Sequence, residues 1–185
     1  MNTPRFLIAL ALALPLGAFA QSAERLDNLV EAAAKCIDKE PMAPSMAAYR
    51  LLLSSHVVVK TRSGPLTMYV SPMDAKGGAK VWNLNPTRVI AIEKSGLKTA
   101  LIGSLYSADY PLDDQALVGA FQGGLRRNIK LAPFKAPLWT AAGLTSASIS
   151  TEPVHQSKHL LFGHLADGDR VLICATLPEL EAFTK

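Results

Sequence analysis

Leu66, Met68 and Val70 alternate with Thr67, Tyr69 and Ser71, the period-two pattern of a strand with one face buried. The β-branched run Val57-Val58-Val59 precedes it, and Ser63-Gly64-Pro65 supplies a turn between the two. Short strands are predicted again at Lys80–Leu84 and Arg88–Lys94, split by Asn85-Pro86. Ser95-Gly96 then turns the chain into Leu97–Ser107. Near the end, the apolar runs of Lys158–Ala166 and Arg170–Leu177 flank Asp167-Gly168-Asp169, a hairpin signal. Leu144–Thr151 reads as one more strand. Strands at short, regular spacing imply an antiparallel meander and not βαβ units.

The period changes to that of a helix in two regions. In Ser22–Lys39, Leu26, Leu29, Val30, Ala33 and Ile37 fall on one stripe, with Glu24, Asp27, Glu31 and Lys35 mostly opposite. Pro41 ends that helix, and Pro44 opens a second, shorter one through Met46, Tyr49, Leu52 and Leu53. In mid-chain, Asp113-Asp114 suits a helix start, and Leu117, Val118, Phe121 and Leu125 form an inner stripe. Gly123-Gly124 should stop or bend this helix. Asn128 to Gly143, with Pro133 and Pro137, reads as a long surface loop, and Pro178 begins a short tail. The fold class is α+β: an antiparallel sheet of short strands packed with two N-terminal helices and one mid-chain helix.

The first twenty residues stand apart from this pattern. Arg5, the apolar run Phe6–Leu16 and Ala18-Phe19-Ala20 have the layout of a cleaved signal peptide, so residues 1–20 are leader and 21–185 one globular domain. The apolar run is shorter than the roughly 20 residues of a membrane span. No cysteine stands directly after the cleavage site, which excludes lipid attachment there. The chain is therefore expected in the periplasm or outside the cell, with no transmembrane segment after cleavage.

Export decides how the cysteines are read. Cys36 and Cys174 are the only two, and an even count in an oxidising compartment favours a disulfide. A bridge would close a loop of about 139 residues, on the order of 4–5 kcal/mol in the chain-entropy account.

Charge is mild. The leader removes Arg5 and leaves 18 basic against 15 acidic side chains, far from a nucleic-acid footprint. Arg126, Arg127, Lys130 and Lys135 are interleaved with apolar residues around Phe134 and followed by Trp139, which points to a docking surface for an acidic protein partner. The same cations also suit an ordinary helix C-terminus. Gly123-Gly124 beside the arginines could cradle an anion.

Catalytic and metal chemistry find little support in the spacing. His155, His159 and His164 lie within ten residues, but not as HExxH. On one strand His159 and His164 point to opposite faces and cannot share a metal. No GxSxG elbow is present. Asp113-Asp114 and Asp167/Asp169 sit at a helix start and a hairpin tip, both structural places. The chain is therefore expected to be a non-catalytic exported binding protein that recognises another protein, of inhibitor or immunity type, with no metal and no cofactor. A small-molecule or lipid carrier is the alternative, and a hydrolase built around His159 or His164 comes third.

Overall fold

The computed structural model describes residues 31, 34–36, 59–72, 80–97 and 99–184. They form an antiparallel sheet of eight strands: β1 Val59–Ser63, β2 Leu66–Pro72, β3 Arg88–Lys94, β4 Ala100–Tyr106, β5 Leu131–Pro133, β6 Leu144–Ser150, β7 Lys158–Leu165 and β8 Arg170–Thr176. The lateral order is β1-β2-β3-β4-β8-β7-β6-β5. Two four-stranded meanders thus each begin at an outer edge and end at the centre, where β4 pairs with β8 from Gly103–Ile173 to Tyr106–Arg170. The long connection between the meanders carries helix α1, Asp114–Leu125. Helix α2, Pro137–Ala141, lies between β5 and β6, and α3, Leu177–Thr184, follows β8.

Central placement explains why β4 and β8 read as continuous apolar runs. Every residue of β4 is buried, as is β8 up to its last residue, because both faces of these strands are covered. The hairpin between β7 and β8 turns as its Asp-Gly signal predicts. Gly168 takes φ +86°, and the Asp167 carboxylate accepts the Asp169 N–H at 3.1 Å.

Register divides the core in two. Tyr106, Leu160, Phe162, Leu172 and Cys174 point to the face covered by Leu117, Val118 and Phe121 of α1. Ile90, Leu101, Leu105, Leu161, Val171 and Ile173 point to the other, with Trp139 of α2 and Leu180 and Phe183 of α3. Cys36 and Cys174 are joined, with Cα atoms 5.1 Å apart, which ties the α1 face to a central strand. The mixed α+β architecture and the disulfide are as the sequence implies.

Five expectations need correction or limits. Asn128–Gly143 is no single loop, because it contains β5 and α2. Lys80–Leu84 is not a strand but a tight turn closed by a Val81–Leu84 bridge. The tail after Pro178 is helix α3, opened by a reciprocal cap: Glu179 accepts from the Thr176 N–H at 2.8 Å, and the Thr176 hydroxyl accepts from the Glu179 N–H at 3.4 Å. Helix α1 runs through Gly123-Gly124 and ends at Arg126. Most of the two N-terminal helices, and all of the leader, lie outside the described residues; Glu31 and Ala34 are helical. No helix among the described residues is long and apolar enough to cross a membrane.

Candidate functional site

The cations singled out by the sequence collect along one edge of the sheet. Helix α1 starts on Asp113, whose carboxylate accepts the Ala116 N–H at 2.8 Å. It ends with Arg126 in the left-handed region at φ 52°, ψ 39°. The Arg126 and Arg127 N–H groups donate to the Gly123 and Gln122 carbonyls at 3.3 and 3.1 Å, which closes the helix end. These amides are spent on the cap, so the helix end has no N–H pair with which to cradle an anion. Arg126, Arg127, Lys130 and Lys135 are all exposed, and the Arg127 guanidinium donates to the Pro153 carbonyl at 3.1 Å. Lys130 and Lys135 bracket β5, the edge strand, and the exposed Glu152 follows β6, the strand with which β5 pairs.

The two aromatic residues of the same segment are placed differently. Phe134 is half-buried against the α2/α3-face core. Trp139 is 3% exposed, and its indole N–H donates to the Phe183 carbonyl at 2.9 Å. Its ring faces inward and is no exposed anchor, which reduces the accessible surface to four cations and part of Phe134. Sequence spacing misses this because a Trp in a Pro-flanked segment has no neighbouring periodicity to reveal its direction.

A polar cluster that spacing could not reveal lies at the other end of α1. The Asp114 carboxylate can only accept, so the His164 Nε2–H donates to it, at 2.9 Å. That leaves Nδ1 to accept from the Ser146 hydroxyl, also at 2.9 Å. Hydroxyl, imidazole and carboxylate therefore stand in the order used to activate a serine nucleophile. The carboxylate is 51% exposed and shares its charge with Arg170 at 3.9 Å, so water and the Arg170 cation weaken its hold on the imidazole.

Arg170 itself is a fastener. Its guanidinium donates to the carbonyls of Leu112, Ser107 (2.9 Å) and Tyr110 (3.2 Å), which pins the link between β4 and α1. Its neighbour Asp169 is buried, pairs with Arg88 and accepts the Ala108 N–H at 3.2 Å. Burial pushes the Asp169 carboxyl above its ordinary range, against the opposing pull of Arg88. His159 lies on the opposite side of β7 from His164, with Nδ1 2.8 Å from the Ser150 carbonyl. No group of three or more His, Cys, Asp or Glu side chains among the described residues is placed to hold a metal ion.

The third locality is a hollow of about 650 Å³ lined by Glu31, Lys35, Lys80, Trp82, Asn83, Leu84, Ala120, Gly123 and Gly124. Trp82 and Asn83 form the tight turn, at φ 50° and 65°. Left-handed backbone costs a residue with a Cβ about 1–2 kcal/mol, and turns of this kind favour Asn-Gly. The glycine is on the other side of the contact: a Cβ on Gly124 would lie 2.2–2.5 Å from three carbons of the Trp82 indole. This explains a glycine inside α1 at a cost of about 1 kcal/mol against alanine. The Trp82 Nε1 is buried without an acceptor, and the Lys35 ammonium lies 5.7 Å from the ring centroid while pairing with Glu31. By contrast, the cavity between the sheet and α2 measures about 10 Å³, no more than one water.

No family model matches the chain, and neither a curated protein nor a solved structure matches it.

Proposed function

We propose that the protein is a non-catalytic exported binding protein of the cell envelope, of inhibitor or immunity type, that recognises an acidic surface on another protein. The observation supporting this reading is the cationic edge. Arg126, Arg127, Lys130 and Lys135 are exposed together around β5, with part of Phe134 between the lysines. Arginine and aromatic contacts of this kind anchor protein interfaces, and complementary charge steers association. The leader-like N-terminus and the disulfide support an oxidising compartment.

A competing explanation exists for two of the cations. Short edge strands flanked by lysine and carrying proline are a common guard against edge-to-edge pairing, and β5 has three residues including Pro133. The Arg126→Glu/Arg127→Glu variant separates the two, since neither arginine lies on the strand. Immobilised on a support and incubated with envelope extract from its source at moderate salt, the oxidised wild-type protein should retain one stoichiometric acidic partner, and the variant should lose it. Undiminished retention by the variant would remove this edge as the docking surface.

Hydrolysis at Ser146 is the second reading, favoured by the Ser146–His164–Asp114 chain of hydrogen bonds. An activated serine is modified by a fluorophosphonate probe, and labelling abolished by both Ser146→Ala and His164→Ala would support it. Wild-type protein that stays unlabelled would end it.

A further inference from the structure

Several unfavourable features meet on the ring of Trp82. Its backbone is left-handed, as is that of Asn83, in a turn whose usual sequence would relieve both. The helix beneath gives up a side chain at Gly124 to let the indole approach. The indole N–H is buried without an acceptor. Covering the core would require none of these, because an aliphatic side chain on a relaxed turn covers as much. Strain held in place by its surroundings clusters where a side chain must be presented in one position.

What the ring is presented to is the hollow. Its lining mixes polar groups with apolar surface at Trp82, Ala120 and Leu84, and it is open at Gly123, where a Cβ would meet no atom within 4 Å. Among the described residues its rim carries Lys35 and Lys80 against Glu31, two ammonium groups to one carboxylate. Lys35 is engaged with Glu31, and Lys80 is exposed. At about 650 Å³ the hollow falls in the range of small-molecule sites. Apolar wall, aromatic ring and net positive rim are the elements that recognise an amphiphilic anion.

We infer that the Trp82 hollow binds a small organic carboxylate, its charged end at Lys80 and Lys35 and its apolar body against Trp82, Leu84 and Ala120. This site is separate from the cationic β5 edge and does not depend on the protein-recognition reading.

The test is calorimetric titration of the oxidised protein with 2-naphthoate and with uncharged 2-naphthalenemethanol. Naphthoate should bind saturably at one site, about tenfold or more tighter than the alcohol, with affinity falling as salt is raised. Lys80→Glu, a change at an exposed residue, should weaken naphthoate at least about fivefold, while Arg62→Glu on the far edge strand leaves it unchanged. No saturable binding at millimolar naphthoate, or equal affinity in wild type and Lys80→Glu, would overturn the site. Trp82→Leu, checked for the intact disulfide and native circular dichroism, should also lose naphthoate binding. Retention by a folded Trp82→Leu protein would overturn it equally.

Discussion

On the α2/α3 face, Trp139, Leu66, Ile90, Leu144 and Val171 line a cavity of about 10 Å³, and the one indole N–H there finds a carbonyl. Across the sheet, the α1 face holds all four buried side-chain polar atoms that lack a partner among the described residues. They are Trp82 Nε1, Ser104 Oγ, Tyr106 Oη and Arg170 Nε. Register places them there: Ser104 and Tyr106 alternate with Leu105 of the other face, and Arg170 shares parity with Leu172 and Cys174. The left-handed residues Cys36, Trp82, Asn83 and Arg126 also belong to this side of the molecule. One face is packed for stability, and the other carries polar groups, strain, the disulfide and the hollow. Departures from consistent local choices of this kind are expected where a protein does its work.

The disulfide offers the largest test of this contrast. If the α1 face is the weaker one, the cross-link that ties it to β8 matters most. Cys36→Ser/Cys174→Ser should lose on the order of 4–5 kcal/mol, read from urea midpoints of the oxidised wild type and the variant. A loss below about 1 kcal/mol would mean that the α1 face holds without its link.

Next in size are the two tryptophans. Trp139→Ala removes a ring that is 3% exposed and its bond to Phe183, and should cost about 3–5 kcal/mol. Trp82→Ala removes a half-buried ring together with an orphan N–H, and should cost clearly less, about 1–2 kcal/mol. Equal losses in matched urea titrations would erase the difference between the faces.

How much of this contrast can be read from the chain depends on the range of the interaction. The Asp-Gly hairpin, the Asp113 cap, strand β2 and the cysteine pairing rest on local or compositional signals, and each has its place in the fold. The alternation expected along β2 does not carry over to burial, because Tyr69 and Ser71 of the supposed open face are buried while Met68 and Val70 are half-buried. Helix α3 had a legible signal too, Thr176-x-x-Glu179, hidden behind a Pro178 that looks like a terminator but sits in the first helical turn. Gly124 misleads because its reason, the Trp82 ring, comes from a turn some forty residues away, whereas a Cβ on Gly123 would meet no atom within 4 Å. Asp114, Ser146 and His164 come from a helix and two strands, so no spacing rule brings them together.

Smaller, and opposite in sign, is the effect at the end of α1. Arg126 takes a left-handed conformation that glycine adopts freely, so Arg126→Gly should stabilise the protein by about 1 kcal/mol. The same change removes one cation of the proposed docking edge. A variant with a raised melting temperature and weaker partner capture would place the arginine there for binding. Lowered stability would show that the aliphatic stem of Arg126 packs more than its exposure suggests.

The smallest effect bears on the orphan groups themselves. Tyr106 is fully buried, its ring set edge-on to Tyr110 at a centroid distance of 5.0 Å, and its hydroxyl has no partner. Burial pushes the phenol pKa far above its ordinary value, against a smaller opposing pull from the Ser104 hydroxyl, so the group is neutral at any working pH. Removing an unpaired hydroxyl keeps the ring packing and recovers its desolvation penalty, against a void of one oxygen. Tyr106→Phe should therefore be neutral or stabilising by up to about 1 kcal/mol. Ser104 lies two residues earlier on the same face, and its hydroxyl is near enough to act on the phenol but makes no hydrogen bond of normal geometry. Were the two hydroxyls bonded in solution, Tyr106→Phe would strand Ser104 and cost about 1 kcal/mol instead, and Ser104→Ala would restore the loss in a double-mutant cycle. An additive cycle with no destabilisation is the outcome the unpaired geometry requires, and it would leave the α1 face with polar groups that contribute nothing to its own stability.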